Sequence, residues 1–186
     1  MARMGTTQLG KDMSVEFGKR LPTRPIIKIL HSFVPRCTET AYSIAEGIES
    51  TGSTVQSIEP LYALVGPQIS DLGLWDRMGV DGQQIAQFVN DWYDGVFSKD
   101  AMEPVSVYEP RLHEDVLQPL ASAEDGELHI HVTHDLILMG SIRIFSGDDT
   151  TTERRPPYLG GLGVVWNRDR FEVFENGMIH EVPSRS

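Results

Sequence analysis

The sequence predicts an α/β protein: a three-layer α/β/α sandwich in which a sheet is covered by helices on both faces. Three observations carry that expectation. Short apolar segments of strand character alternate with segments of helical period through most of the chain. Two strand-to-helix junctions, HSFVPR at residues 31–36 and THD at residues 133–135, place polar side chains at a strand's carboxyl end, which is where ligands sit in such sheets. The 186 residues are 40% hydrophobic and 8% aromatic, enough for one ordinary core.

The elements follow in order. Thr6 or Thr7 caps a first helix in which Leu9, Met13, Phe17 and Leu21 recur at a spacing of four, and Pro22 and Pro25 end it. PIIKILHS reads as a short, isoleucine-rich buried strand. Helical period resumes from Arg36, with Ala41, Ile44, Ala45 and Ile48 on one face and Gly52 as the stop. TVQSIEPL is the second strand. QISDLGLWDRMG and DGQQIAQFVNDWYDG are two helices, the latter aligning Ile85, Phe88, Val89 and Trp92. A further helix is expected around residues 111–123, with prolines at both of its ends, Pro110 just before it. ELHIHVTH is the clearest strand; DLILMGSIRIF continues from it as a helix, and Gly147 and Asp148 open a polar loop. LGVVWNRD and FEVFENGMIHEV close the chain as strands, with Asn176-Gly177 as a hairpin turn.

Composition excludes several function classes. Lys and Arg number 16 against 27 Asp and Glu, a net charge of −11, and that field repels a polyanion such as nucleic acid. Cys37 is the single cysteine, so it forms no internal disulfide and nothing points to an oxidising compartment. No apolar run approaches the roughly 20 residues that span a bilayer, and residues 1–20 have no signal-peptide core. The expectation is a soluble, cytoplasmic protein that engages neither nucleic acid nor membrane.

The candidate chemistry lies at the two loaded junctions. Arg36 offers a guanidinium suited to bidentate phosphate binding. His134 can meet an anion near helical N–H groups, and Asp135 beside it can shuttle a proton. Other patterns point elsewhere. His129, His131 and His134 have the H-x-H-x-x-H spacing of metallo-hydrolases, but Thr133 stands where that pattern places an aspartate, and His180 is the remaining downstream histidine. Arg36 beside Cys37 suggests an activated thiol, but TETAYSI follows in place of a phosphate loop, so a buried small residue is the better reading. The glycines of YLGGLGVV lack a strand-to-helix context. Trp75, Trp92 and Trp166 read as packing, and Arg154-Arg155 as a surface pair before PPY.

HSFVPRCTETAYSIAEGI carries a serine, a few residues, an arginine and a Thr-Ala pair leading into a helix: Ser32, Arg36, Thr40 and Ala41. HVTHDLILMGSI, RPPYLGGLGVVW and GTTQLGKDMSVEFGKRLP add a histidine-aspartate signature, the strand after it and a first helix. On these motifs the chain resembles the histidine phosphatase superfamily, in its acid-phosphatase-type, His-Asp branch. The resemblance implies a phosphoglycerate mutase-like fold and a phosphohistidine mechanism that needs no metal or organic cofactor. It assigns phosphate binding to Arg36 and His134, and catalysis to His134 and Asp135, with Asp135 protonating the leaving group of a small phosphorylated substrate. The family's nucleophile is the histidine of an Arg-His-Gly motif on a strand ahead of the first helix, and that triplet occurs nowhere in the sequence. The reading is therefore a single histidine phosphatase-like domain over residues 1–186, N-terminally incomplete relative to the family and missing the first central strand. A homo-oligomer is one way to cover the resulting gap. Phosphomonoester hydrolysis is the expected activity where the chain is competent; the alternative is a pseudophosphatase that binds phosphate, another ligand or a partner.

Overall fold

A computed structural model of the chain describes residues 5–175 and 177–183. These form two compact units: the chain as far as Val65 together with Ser122–His134, and Gly66–Ala121 together with the chain from Asp135 onward.

The first unit contains α1 (Gln8–Arg20), β1 (Ile27–His31), α2 (Pro35–Ser50), β2 (Ser57–Pro60) and β3 (Leu128–Val132). The strands form a parallel sheet of order β2-β1-β3, with Ile29 of the central strand opposite Ile58 and Ile130. Parallel neighbours need a crossover, and α2 supplies it between β1 and β2. It packs on the strands with Ala41, Ile44, Ala45 and Ile48 buried, as the period predicts. Gly52, just past the helix end, takes φ +87°, a left-handed conformation that terminates the helix at little cost only for glycine.

Thr7 caps α1, its Oγ1 accepting from Gly10 N at 3.1 Å. The apolar repeat marks this helix but not its buried face. Gly10, Ser14 and Gly18 are buried, whereas Leu9 and Met13 are 69% and 41% exposed. The reason lies in how closely α1 meets α2. A Cβ on Gly47 would lie 2.0 Å from the Val15 carbonyl oxygen, and one on Gly18 2.2 Å from that of Ile44. Backbones approach so closely only where side chains are absent or small, so small residues take the interface and the larger ones are displaced from it.

The second unit contains α3 (Leu74–Arg77), α4 (Ile85–Tyr93), α5 (Val105–Leu112), a π turn (His113–Leu117), α6 (Gln118–Ala121), α7 (Asp135–Ser146), and β4 (Gly163–Asn167), β5 (Arg170–Glu175) and β6 (Met178–Pro183). The three strands form an antiparallel sheet of their own, order β4-β5-β6. Ile85, Phe88, Val89 and Trp92 of α4 are buried as expected, in one cluster with Tyr108, Leu112, Leu136, Ile137 and Met139. The Trp92 indole donates to Glu103 O at 2.8 Å, so its one polar group is satisfied inside that core.

Two expectations are corrected here. The helix expected around residues 111–123 begins at Val105 and runs through Pro110. Proline has no N–H to donate and its ring crowds the preceding turn, and the helix widens into the π turn directly afterwards. The helix expected across QISDLGLWDRMG is a single turn, Leu74–Arg77, closed by Gly79 at φ +74°. Asn176 of the expected hairpin lies outside the described residues; β5 and β6 are antiparallel neighbours, with Glu175 opposite Met178. No described helix is long and apolar enough to cross a membrane.

Candidate functional site

Strands β1 and β3 run in register and end side by side, His31 opposite Val132. The segments that follow them therefore leave from one edge of the sheet, and Ser32 N donates to Val132 O at 2.9 Å to hold them together. Thr133 Oγ1 donates to Leu64 O at 2.7 Å, which fixes the turn out of β3. His134 follows. Its Nε2 lies 2.9 Å from Ser32 Oγ and its Nδ1 2.8 Å from Nη2 of Arg36.

The chemistry of these contacts assigns the ring's tautomer. A guanidinium only donates, so Nδ1 of His134 accepts from Arg36. A neutral ring then carries its proton on Nε2 and donates it to Ser32 Oγ. This is the reverse of a nucleophile-activating pair, in which a histidine lone pair would take the serine proton. Ser32 is fully buried and Arg36 is exposed, so the cluster has a fixed floor and a cationic rim. Arg36 lies in the first turn of α2, whose N-cap residue Val34 makes no side-chain capping bond. The positive end of a helix of 16 residues thus faces the same edge.

The other nucleophile candidates are structurally committed. Cys37 is 4% exposed, with Sγ 3.4 Å from Thr133 O and within 3.7 Å of both His134 ring nitrogens. Burial pushes its thiol up to about 11, outweighing the opposing pull of Arg36, so it stays protonated and inert near neutral pH. His31 is buried, with Nδ1 2.9 Å from Ser32 O and 3.3 Å from Thr38 Oγ1.

The structure thus brings Arg36 and His134 together. Asp135 opens α7; its Oδ1 accepts from Leu136 N at 2.9 Å and its Oδ2 from Arg155 at 2.6 Å. Arg155 also donates to Gly82 O at 3.3 Å. Of the histidines in the metal-like spacing, His129 is paired outside this cluster. His129 Nε2 lies 2.6 Å from Glu127 Oε1, and Glu127 also pairs with Lys28. Hydrogen bonds from Lys28 and then His129 hold the Glu127 carboxyl down at about 2. Burial, with His129 nearby, pushes the His131 imidazole down to about 4. His180 lies 3.5 Å from Glu175. Among the described residues no three His, Cys, Asp or Glu side chains are grouped to hold a metal ion. Two contributors were not singled out as site residues from sequence, Ser32 and Thr133. Ser32 stands at the serine position of the motif quoted above, which was the available signal; the Thr133–Leu64 contact spans 69 positions and leaves no local trace.

No family profile matches the chain, and no curated protein sequence matches it. Solved structures do. Bacillus stearothermophilus YhfR aligns with a TM-score of 0.56 at 20% identity, over 97% of this chain and 87% of that one. A phosphoglycerate mutase from Bacillus anthracis str. Sterne aligns with a TM-score of 0.54 at 14% identity, over 96% of this chain and 81% of that one. The fold is phosphoglycerate mutase-like. At these identities the likeness shows the fold, and that fold is the one the motif resemblance implies. In this phosphoglycerate mutase-like chain, the residues of the two quoted motifs, Ser32 and Arg36 from one and His134 from the other, meet within 2.9 Å.

Proposed function

We propose that this protein binds the phosphoryl group of a small phosphomonoester through Arg36 and His134, and that phosphomonoester hydrolysis is the reaction this half-site serves. One observation carries the reading: Arg36 donates to a neutral imidazole, and no carboxylate pairs with it among the described residues. Its full positive charge is available to an anion. A phosphate oxygen replaces His134 as acceptor and takes two N–H groups from the guanidinium fork. His134 then takes a proton on Nδ1 and donates to a second oxygen, and the N-terminal N–H groups of α2 favour the dianion. In hydrolysis a bond forms from the water oxygen to phosphorus, the ester P–O bond breaks, the departing alkoxide takes a proton from a protonated donor, and the proton lost by the attacking water restores that donor. Asp135 is the proposed donor of that proton. Both of its oxygens accept hydrogen bonds here, so the role requires Arg155 to leave Oδ2. A cytoplasmic setting is part of this proposal.

A second reading, the pseudophosphatase, is favoured by the state of the nearby nucleophile candidates. Ser32 Oγ accepts from His134, and Cys37 is held as a thiol. Phosphate binding by calorimetry, with turnover of an aryl phosphate, tests both readings on wild type, Arg36→Ala and His134→Ala. Binding lost by at least about tenfold in each variant supports the half-site, since each loses a charge-assisted hydrogen bond. Turnover lost in the same variants supports hydrolysis, and binding without turnover supports the pseudophosphatase. Equal phosphate affinity in all three proteins overturns the half-site itself.

A further inference from the structure

Phe33 and Tyr62 are 54% and 45% exposed, yet their rings stack at a centroid distance of 6.2 Å and an interplanar angle of 24°. A single exposed aromatic needs no explanation, but two exposed rings stacked on one another do. Each ring rides on a backbone segment that also braces His134. Phe33 follows Ser32, whose Oγ meets His134 Nε2. Tyr62 opens the short turn Tyr62–Leu64, whose Leu64 carbonyl accepts from Thr133, the residue before His134. The start of that turn is tied back to β1, Leu61 N donating to His31 O at 2.8 Å. The rings are therefore held on fixed backbone at the carboxyl ends of β1 and β2, the edge that carries Arg36.

We infer that the stacked Phe33–Tyr62 pair is the leaving-group wall of the Arg36–His134 site and selects aryl phosphate monoesters. The inference rests on the phosphate reading above and names its substrate class. An aryl phosphate has the matching chemistry, a dianion for Arg36 joined through one oxygen to a flat ring for the aromatic pair. An alkyl ester of similar size gains buried area against the same rings but no stacking geometry. Offset-stacked aromatic pairs are favoured over burial alone by an amount worth roughly three- to tenfold in affinity.

The test uses phosphonates, whose carbon–phosphorus bond is not hydrolysed, so binding is read whether or not the protein turns over. Calorimetry compares phenylphosphonate, propylphosphonate and inorganic phosphate on wild type, the Phe33→Ala/Tyr62→Ala double variant and Phe33→Trp, with melting curves to confirm folding. The readout is the ratio of phenyl to propyl affinity, which cancels any change in the anion site itself. Wild type is expected to prefer the phenyl compound by about tenfold; the double variant reduces that ratio to about twofold or less, and Phe33→Trp keeps it. No preference in wild type, or a ratio unchanged in the double variant, overturns the aryl selectivity while leaving phosphate binding standing. Failure of wild type to bind any of the three compounds overturns the phosphate reading and this inference together.

Discussion

Arg36 and Arg154 show two uses of the same side chain. Arg154 donates from Nε and Nη2 to the two oxygens of Glu175, at 2.9 and 2.5 Å, and the Glu175 side chain is only 3% exposed. The pair shifts in the direction a bidentate bond demands: the Arg154 hydrogen bond holds the Glu175 carboxyl below the ordinary carboxylate range, and Glu175 holds the guanidinium proton more firmly still. That arginine is neutralised and serves the second unit's structure. Arg36 is exposed and spends one N–H on a neutral ring, which keeps the segment in place without cancelling the charge. A charged side chain is ready for a ligand when its resting partner orients it but does not neutralise it.

The largest effect expected from this contrast is on stability. Arg154→Met leaves Glu175 buried without its counter-ion, which costs about 3–5 kcal/mol, and chemical denaturation should register that loss while phosphate affinity below the transition stays as in wild type. An unchanged denaturation midpoint would mean that Arg154 is no more structural than Arg36. Next, His134→Glu makes Arg36 resemble Arg154 by handing it a carboxylate. Phosphate affinity should fall by about a hundredfold, because the anion must now displace a carboxylate of its own sign from Arg36 and bind beside it; retained binding would sink the argument from unspent charge.

The smallest effect concerns a histidine outside the candidate site. His131 is held at about 4 against the ordinary imidazole value of 6.5. Between these values the unfolded chain binds a proton that the folded chain does not. Stability should therefore fall as pH drops from 6.5 toward 4 and gain nothing from this residue above 6.5. Glu127, held at about 2, contributes stability that is present above its ordinary value of 4.5 and is lost as pH falls toward 2. The interval from pH 4.5 to 6.5 thus reports on His131, and His131→Gln should flatten the melting temperature across it. A slope that persists in the variant would assign the pH dependence to another group.

Much of the fold was legible in the sequence because it depends on local order. The strand at Ile27–His31, the buried face of α2, the stop at Gly52 and the buried face of α4 each follow from period and punctuation within a dozen or so residues. Misreadings came where a neighbour overruled the local pattern. The spacing of Leu9 and Met13 marked a helix, yet the glycines facing α2 took its buried side. Pro110 looked like a boundary, but the segment continues through it as a helix that widens into a π turn.

The candidate site divides in the same way. By itself the sequence determined which residue types stand at the ends of β1 and β3, and the resemblance of two motifs singled out Ser32 and Arg36 in one and His134 in the other, because side-chain chemistry and spacing are written along the chain. Only the tertiary structure decided that His134 reaches Ser32 and Arg36 across about a hundred positions, that Asp135 turns to Arg155, and that Phe33 stacks on Tyr62. Those contacts depend on strand register and on which donors each partner already spends, and neither quantity has a period that a linear sequence can carry.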